Sequence, residues 1–433
     1  MKYLALNNLK LSSSDPKICV PVMGKDKKEV LEQVKIVKRK NPDLIEFRAD
    51  FLKWDKDLKK NLKNIKDILE AINKECDIPL IFTIRTAKEG GELDIEFAQY
   101  ALVNIEVAKI SDEYNVALID VEGIKHKCNT KLLIEKIHEA GGNVIVSNHN
   151  FHKTLAYEFL IRRIQMLSLL DADVVKIAMM PRNKRDVDNL MMAVRYADKR
   201  IGQPIVAMSM GEMGSVTRAA TKKMGTVFSF ASGVDESAPG QPRVEVLRYL
   251  LKDYKLNKNI ALIGFMGTGK TTISYALHNI TGFDEIDSDA YIVEKAKKSI
   301  SDIFKDDGEA KFRELETLSL KEIGDNFRGI ISCGGGAVLK QENVDILKKS
   351  GVIIQLYADA ETIFERVRYS KTRPILNEDM SVEHISRLMS ARDEAYTKAA
   401  DIRTSVADNN RLEACYRILT QLEKLGVISE IDK

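Results

Sequence analysis

The chain has 433 residues, 44% hydrophobic and 30% charged, with a net charge of +3 at neutral pH. That length predicts about two to three domains, and the near balance of charge excludes a nucleic-acid stripe, so an anionic ligand must be met by local arginines. No apolar run is long enough for a membrane span, Met1 to Lys17 has no secretory core, and Cys19, Cys76, Cys128, Cys333 and Cys415 lack metal or disulfide spacing; a cytoplasmic protein with reduced thiols is expected.

From Met1 to about Asp253, short apolar runs alternate with helix-period segments. The runs are Ile18–Met23, Leu44–Phe47, Leu80–Ile84, Val116–Val121, Val144–Val146, Val174–Ile177, Pro204–Met208 and Thr226–Phe230. Between them lie helical stretches such as Asp26–Lys40, Asp94–Tyr114, Thr130–Ala140, Thr154–Leu170 and Lys184–Lys199. Eight strands in about 250 residues is the rhythm of a (β/α)8 barrel, although an open doubly wound sheet shares it. The polar residues tip the balance towards the barrel, because they fall near the C-terminal ends of the strands, where barrels carry their chemistry. Glu46 and Arg48 share one face of the second strand; Thr83 and Arg85 do so on the third, with Glu89 following. His149 follows the fifth, and Arg218 and the Ser237–Gln241 loop come after the last two. Each alone reads as a structural histidine or a solvated rim. Lys176 differs. It is embedded in Val174-Val175-Lys176-Ile177-Ala178, where an amine is costly unless paired or neutral. Burial beside other cations would lower its pKa and make it an imine-forming nucleophile.

The segments Glu46-Phe47-Arg48, Arg85–Glu92, Ser147–Thr154, Lys176-Ile177-Ala178 and Ser237–Gln241 resemble type I 3-dehydroquinate dehydratase. The resemblance implies a barrel in which Lys176 forms an imine with the substrate ketone and no cofactor is needed. It implies that His149 moves the proton and that Glu89 orients it. Arg218 would clamp the carboxylate, while Glu46, Arg48, Arg85, Ser237 and Gln241 would fix the ring hydroxyls and close the site. The first strand ends Val20-Pro21-Val22-Met23, where some relatives have a serine. A class I aldolase is the alternative imine enzyme, but it needs a phosphate nest where this chain offers Arg218 and Ser-Ala-Pro-Gly-Gln.

Pro242–Tyr254 reads as a closing helix, and residues 255–258 as a short tether, giving domains over 1–254 and 258–433. The second part opens on Asn259–Ile263, an apolar strand, followed by Gly264-Phe265-Met266-Gly267-Thr268-Gly269-Lys270-Thr271-Thr272 and a helical run. Strand, glycine turn and helix together form a phosphate loop: backbone N–H groups wrap an anion at a helix N-terminus. Lys270 would reach the β- and γ-phosphates, and Thr271 would hold Mg²⁺. Asp287 and Asp289 can serve a metal and a hydroxyl together, or Asp289 can be a helix N-cap. Arg313 can meet an anion or solvent. Gly334-Gly335-Gly336 straight after an apolar strand marks a close backbone approach, and Arg366–Leu376 a basic lid or a solvated face.

Gly264–Thr272, Asp287-Ser288-Asp289, Phe312-Arg313, Gly334–Gly336, Arg373–Leu376 and Arg392–Tyr396 resemble shikimate kinase. The resemblance implies an α/β domain with a parallel sheet in which Asp289, Arg313, Gly335 and Arg392 hold shikimate. ATP would lie on Gly267, Thr268, Gly269, Lys270, Thr271 and Thr272, with Arg373 closing over it. Thr271 and Asp287 would hold Mg²⁺, and Asp289, Lys270 and Arg373 would act on the reacting groups. Ser332-Cys333 stands where relatives often have threonine, and the adenine pocket is expected near Asp408-Asn409-Asn410. A gluconate or nucleoside monophosphate kinase, or a nucleotide-sensing module, is the alternative. The two resemblances imply one chain that dehydrates 3-dehydroquinate and phosphorylates shikimate. A separate shikimate dehydrogenase is the expected partner, and barrel relatives suggest a homodimer.

Overall fold

A computed structural model describes residues 3–6, 9–124, 127–233, 240–368, 381–408 and 410–431. The chain divides into two compact units, Met1–Leu251 and Lys252–Lys433. Among the described residues no helix is long and apolar enough to cross a membrane.

The first unit begins with a hairpin, β1 (Tyr3–Leu6) and β2 (Leu9–Ser12), paired antiparallel. Eight parallel strands follow: β3 (Lys17–Val22), β4 (Leu44–Arg48), β5 (Leu80–Thr83), β6 (Val116–Glu122), β7 (Val144–Asn150), β8 (Val174–Met179), β9 (Ile205–Ser209) and β10 (Phe228–Phe230). They form one sheet in the order β10-β3-β4-β5-β6-β7-β8-β9. A parallel bridge from Ile205 to Thr226 and a bond from Val227 N to Ile205 O at 3.0 Å draw the two edges together, so the sheet curls into a barrel. All eight apolar runs expected from the sequence are barrel strands. Between them, helices start on side-chain caps: Asp26 accepts from Glu29 N to open Lys27–Arg39, and Asn183 from Asp186 N to open Lys184–Asp198.

The barrel interior is filled, not hollow. Cys19, Leu44, Ile81, Leu118, Ile145, Val174, Val206 and Phe228 point into it near the strands' N-terminal ends. Leu6, Leu9 and Leu11 of the hairpin join the same cluster and stopper that end. The hairpin had no counterpart in the sequence reading, because four-residue strands carry almost no periodicity. The polar site is thereby confined to the opposite, C-terminal end.

The expected closing helix runs Val244–Leu250, and the expected tether is partly a strand, β11 (Tyr254–Leu256). It pairs antiparallel with β17 (Ile428–Glu430), near the other end of the second unit. That unit's main sheet contains β12 (Asn259–Ile263), β13 (Glu285–Asp287), β14 (Ile330–Ser332), β15 (Gly351–Tyr357) and β16 (Ile402–Ser405). All pairs are parallel, in the order β13-β14-β12-β15-β16. The order reverses beside β12, and at such a switch point the loops after the strands part to form a crevice. The glycine loop leaves β12 there.

Leu11 is fully buried in the hairpin stopper. Leu11→Ala should lower the unfolding free energy by about 2–5 kcal/mol, read as an earlier urea midpoint of the barrel's transition.

Candidate active sites

At the C-terminal end of the barrel a cavity of about 260 Å³ is lined by Glu46, Arg48, Arg85, His149, Lys176, Arg218 and Gln241, among others. Six of these come from different strands or the loops after them. Lys176 lies mid-strand on β8, in register with Ser147 of β7 and Val206 of β9. Its Nζ donates to Glu46 Oε1 and to Asp120 Oδ2, both at 3.1 Å, and lies 4.7 Å from the Phe230 ring centroid. The amine is thus held between two carboxylates, which corrects the expectation that cations would be its immediate neighbours.

Asp120 is the hub of this network and was missed from the sequence. Its Oδ2 also accepts from Arg85 Nη2 at 2.8 Å, and its Oδ1 accepts from Ser147 Oγ at 2.6 Å. Burial alone would raise its carboxyl, but Arg85 and Lys176 outweigh burial and hold it well below the usual range. Glu122, also missed, accepts from Thr86 N and Thr86 Oγ1 at 2.8 Å and from Arg85 Nη1 at 3.2 Å. A signal existed. An aspartate within Val116-Ala-Leu-Ile-Asp120-Val-Glu122 is as anomalous in an apolar strand as Lys176 is in its own.

His149 Nδ1 lies 3.2 Å from Glu89 Oε2, which also accepts from His149 N at 2.9 Å. Asn148 Nδ2 holds the other Glu89 oxygen at 3.2 Å, and Arg163 Nη1 donates to Asn148 Oδ1 at 2.7 Å. Burial pushes the Glu89 carboxyl up to about 7 against the pull of Arg85. Burial, helped by Arg85 and Lys176, pushes the His149 imidazole well below its ordinary value. The imidazole is therefore neutral near pH 7, a usable base with Nδ1 engaged and Nε2 left for the cavity.

Arg218 is 3% exposed, and its guanidinium falls to about 10 through burial alone. Among the described residues its Nε has no hydrogen-bond partner, its Nη1 has only the Met208 sulfur at 3.7 Å, and no carboxylate lies beside it. A buried cation so placed awaits an anion. Arg48 is bidentate to Asp50, at 2.8 and 2.7 Å, and lines the same cavity. Gln241 lines it too, while Ser237 lies outside the described residues.

In the second unit, Gly264, Gly267 and Gly269 have φ of +146°, +84° and +87°. A Cβ on Gly264 would sit 2.3 Å from Leu356 O, so the loop's path requires glycine there. Thr268, buried, ties the loop internally through Oγ1 to Phe265 O at 2.8 Å, and Lys270 and Thr271 open the helix Lys270–Thr281. Lys270 Nζ donates to Gly264 O and Phe265 O at 2.8 and 3.3 Å. The N-cap of the next helix is Asp287, not Asp289: its Oδ1 accepts from Asp289 N and Ala290 N. Its Oδ2 is approached by Ser332 Oγ at 3.1 Å and Thr271 Oγ1 at 3.4 Å.

Asp289 Oδ1 is buried without a partner among the described residues, and burial, with Asp287 and Glu316 adding, pushes its carboxyl up to about 6. Arg313 bonds Glu316 at 2.8 Å and Glu309 at 3.2 Å. Gly334 and Gly336 lie against these groups: added Cβ atoms would meet Asp289 Oδ1 and Arg313 Nη1, each at 2.5 Å. Gly335 O accepts from Tyr396 OH, and Arg392 sits 5.9 Å over the Phe265 ring. Thr272 follows on the same helix turn. Arg373 and Asn409 lie outside the described residues.

The type I 3-dehydroquinase family model matches residues 18–258, and the shikimate kinase model matches residues 266–423. The chain belongs to the type I 3-dehydroquinase family, joined to a shikimate kinase. It is 36% identical over 251 residues to 3-dehydroquinate dehydratase of Listeria innocua, covering 58% of this chain and 97% of that protein. A crystal structure of the type I enzyme from Clostridium difficile, with covalent modified comenic acid, is 34% identical with a TM-score of 0.53, over 58% of this chain and 96% of that one. Shikimate kinase from Acinetobacter baumannii, in complex with shikimate, is 30% identical over 39% of this chain and 94% of that one, with a TM-score of 0.37. The chain is thus a bifunctional shikimate-pathway enzyme, a lyase and a phosphotransferase, and the aldolase and sensor alternatives are not favoured. In the dehydroquinase unit the structure gathers Glu46, Arg48, Arg85, Glu89, His149, Lys176, Arg218 and Gln241 around one cavity or its immediate supports. In the kinase unit, Thr271 and Asp287 meet, as do Arg313, Gly336, Gly334 and Asp289.

Proposed function

We propose that the dehydroquinase unit dehydrates 3-dehydroquinate through an imine at Lys176. The observation that carries this is a buried amine held between Glu46 and Asp120, at the floor of a cavity that also receives a neutral imidazole and a guanidinium with no carboxylate beside it among the described residues. Arg218 takes the substrate carboxylate. The free amine of Lys176 attacks the ketone carbon; the carbonyl oxygen takes one proton from that nitrogen and one from solvent and leaves as water, and the nitrogen becomes a positively charged iminium. Asp120, ionised and immobile, is its fixed counter-ion, so the charge created in the reaction meets a pre-formed partner. The iminium acidifies the neighbouring C–H; His149 takes that proton and returns it to the departing hydroxyl, steadied by Glu89. Water then hydrolyses the imine and frees the amine.

The kinase unit transfers a phosphoryl group from ATP to shikimate. The glycine loop and Lys270 hold the phosphates, Lys270 exchanging its loop carbonyls for them. Arg313, Arg392 and Gly335 hold the acceptor, and Arg373 closes over the phosphates. Asp289 Oδ1, buried and without a partner among the described residues, accepts the acceptor's hydroxyl proton. Thr271 and Asp287 fit Mg²⁺, an ion that commonly takes one or two carboxylates plus substrate phosphates. Bound there, it would neutralise charge on the transferred group. Ser332, rather than a threonine, adds a hydroxyl beside Asp287. The barrel's product is a ketone and the kinase's acceptor an alcohol, so a reduction must come between them, for which we propose a dehydrogenase as the partner.

Borohydride with 3-dehydroquinate should leave a reduced adduct on Lys176, located by peptide mass spectrometry. Asp120→Asn should cut its yield by about tenfold or more, equivalent to about 1.4 kcal/mol. An adduct elsewhere, or full activity without one, would refute the imine.

With Asp289 near 6, the carboxyl is protonated below that pH and cannot accept the hydroxyl proton. The kcat/KM for shikimate should therefore fall with acidification below about pH 6, approaching tenfold per unit, and Asp289→Asn should abolish turnover across the whole range. A rate flat from pH 7 to pH 5 would exclude Asp289 as the acceptor.

A further inference from the structure

One group at the mouth of the dehydroquinase cavity has no part in the steps above. Phe151 stands two residues after His149, at the end of β7, and its ring lies nearly parallel to the imidazole: centroids 6.4 Å apart, planes 19° apart. It is 43% exposed, whereas the His149 side chain is 10% exposed. The ring lies beside the base.

The ring is seated by a specific backbone feature. Gly90 follows Glu89 directly and has φ of +81°. A Cβ built on Gly90 would sit 2.3 Å from Phe151 Cε2 and 2.7 Å from Cζ, so the ring edge rests on bare backbone. Residues 89 and 90 therefore act on both rings: the Glu89 carboxylate accepts from His149 N, and the Gly90 backbone carries Phe151.

We infer that Phe151, seated on Gly90, is a positioning residue that keeps water off the His149 imidazole and holds it facing the cavity. This rests on the reading of His149 as the base. The charged groups around that imidazole are Glu89 in the turn after β5, Asp120 on β6, Lys176 on β8, Arg85 after β5 and Arg48 on β4. Each is held by partners other than Phe151, so its truncation acts chiefly through the desolvation. Desolvation is the largest cause that keeps the imidazole unprotonated. Letting water reach it favours the charged form.

The test is histidine-labelled NMR of the full-length protein, with His149 assigned by its loss in His149→Gln, and with Phe151→Ala and Phe151→Leu compared. The His149 pKa should rise by about one unit in Phe151→Ala, and the acid limb of kcat/KM for 3-dehydroquinate should move up with it. Phe151→Leu, which restores an apolar cover, should recover at least half of both shifts, with melting temperatures close to the parent's. An unmoved His149 titration in Phe151→Ala would overturn the inference. Borohydride trapping at Lys176 in the same variant separates the two readings: trapping with an unmoved titration sinks only the role of Phe151.

Discussion

The first unit depends on one electrostatic arrangement, the charges shared among Lys176, Asp120, Glu46 and Arg85 inside the barrel. An ammonium or carboxylate in such surroundings costs several kcal/mol unless each finds a partner. Asp120 meets that condition from three directions, through Lys176, Arg85 and Ser147, and Glu46 does so through Lys176 and Thr83. The network exists only if β4, β5, β6, β7 and β8 lie side by side in register. Catalytic polarity and strand order are therefore the same fact seen at two scales.

The two ends of the barrel share the work. Leucines of the β1–β2 hairpin and large apolar residues at the strand starts make a packed, water-free floor. On it stands a shell whose members differ in how their charge is met. Asp120 is paired and ionised, Glu89 is pushed towards protonation, His149 is neutral, and Arg218 has no carboxylate beside it among the described residues. Unequal environments give chemically similar groups different tasks. The kinase unit reaches an equivalent end by backbone: positive-φ glycines shape the loop after β12, and carboxylates at Asp287 and Asp289 are divided between helix cap, hydroxyls and an open acceptor.

Much of this was legible because it is local. The glycine loop declares itself in nine consecutive residues, and each barrel strand in a short apolar run. Lys176 stood out because a charge within valines and isoleucines is anomalous on sight. Asp120 carried the same anomaly but sat one residue from Glu122 at a strand end, where acidic residues look solvated. Asn148 and Arg163 gave no signal of their own, since a polar residue at a strand end or on a helix is ordinary until its partner is known.

By itself the sequence determined where the eight barrel strands run, where the phosphate loop lies, and which families the two units resemble, because these follow from backbone preference and contiguous pattern. It could not say that Tyr254–Leu256 pairs with a strand over 170 residues later, that Lys176 faces carboxylates, or that Asp287 rather than Asp289 caps its helix. Those were decided by the tertiary structure. Pairings between distant segments leave no mark on either segment alone; they arise when closing the sheet forces unrelated side chains into one small volume where water cannot satisfy them.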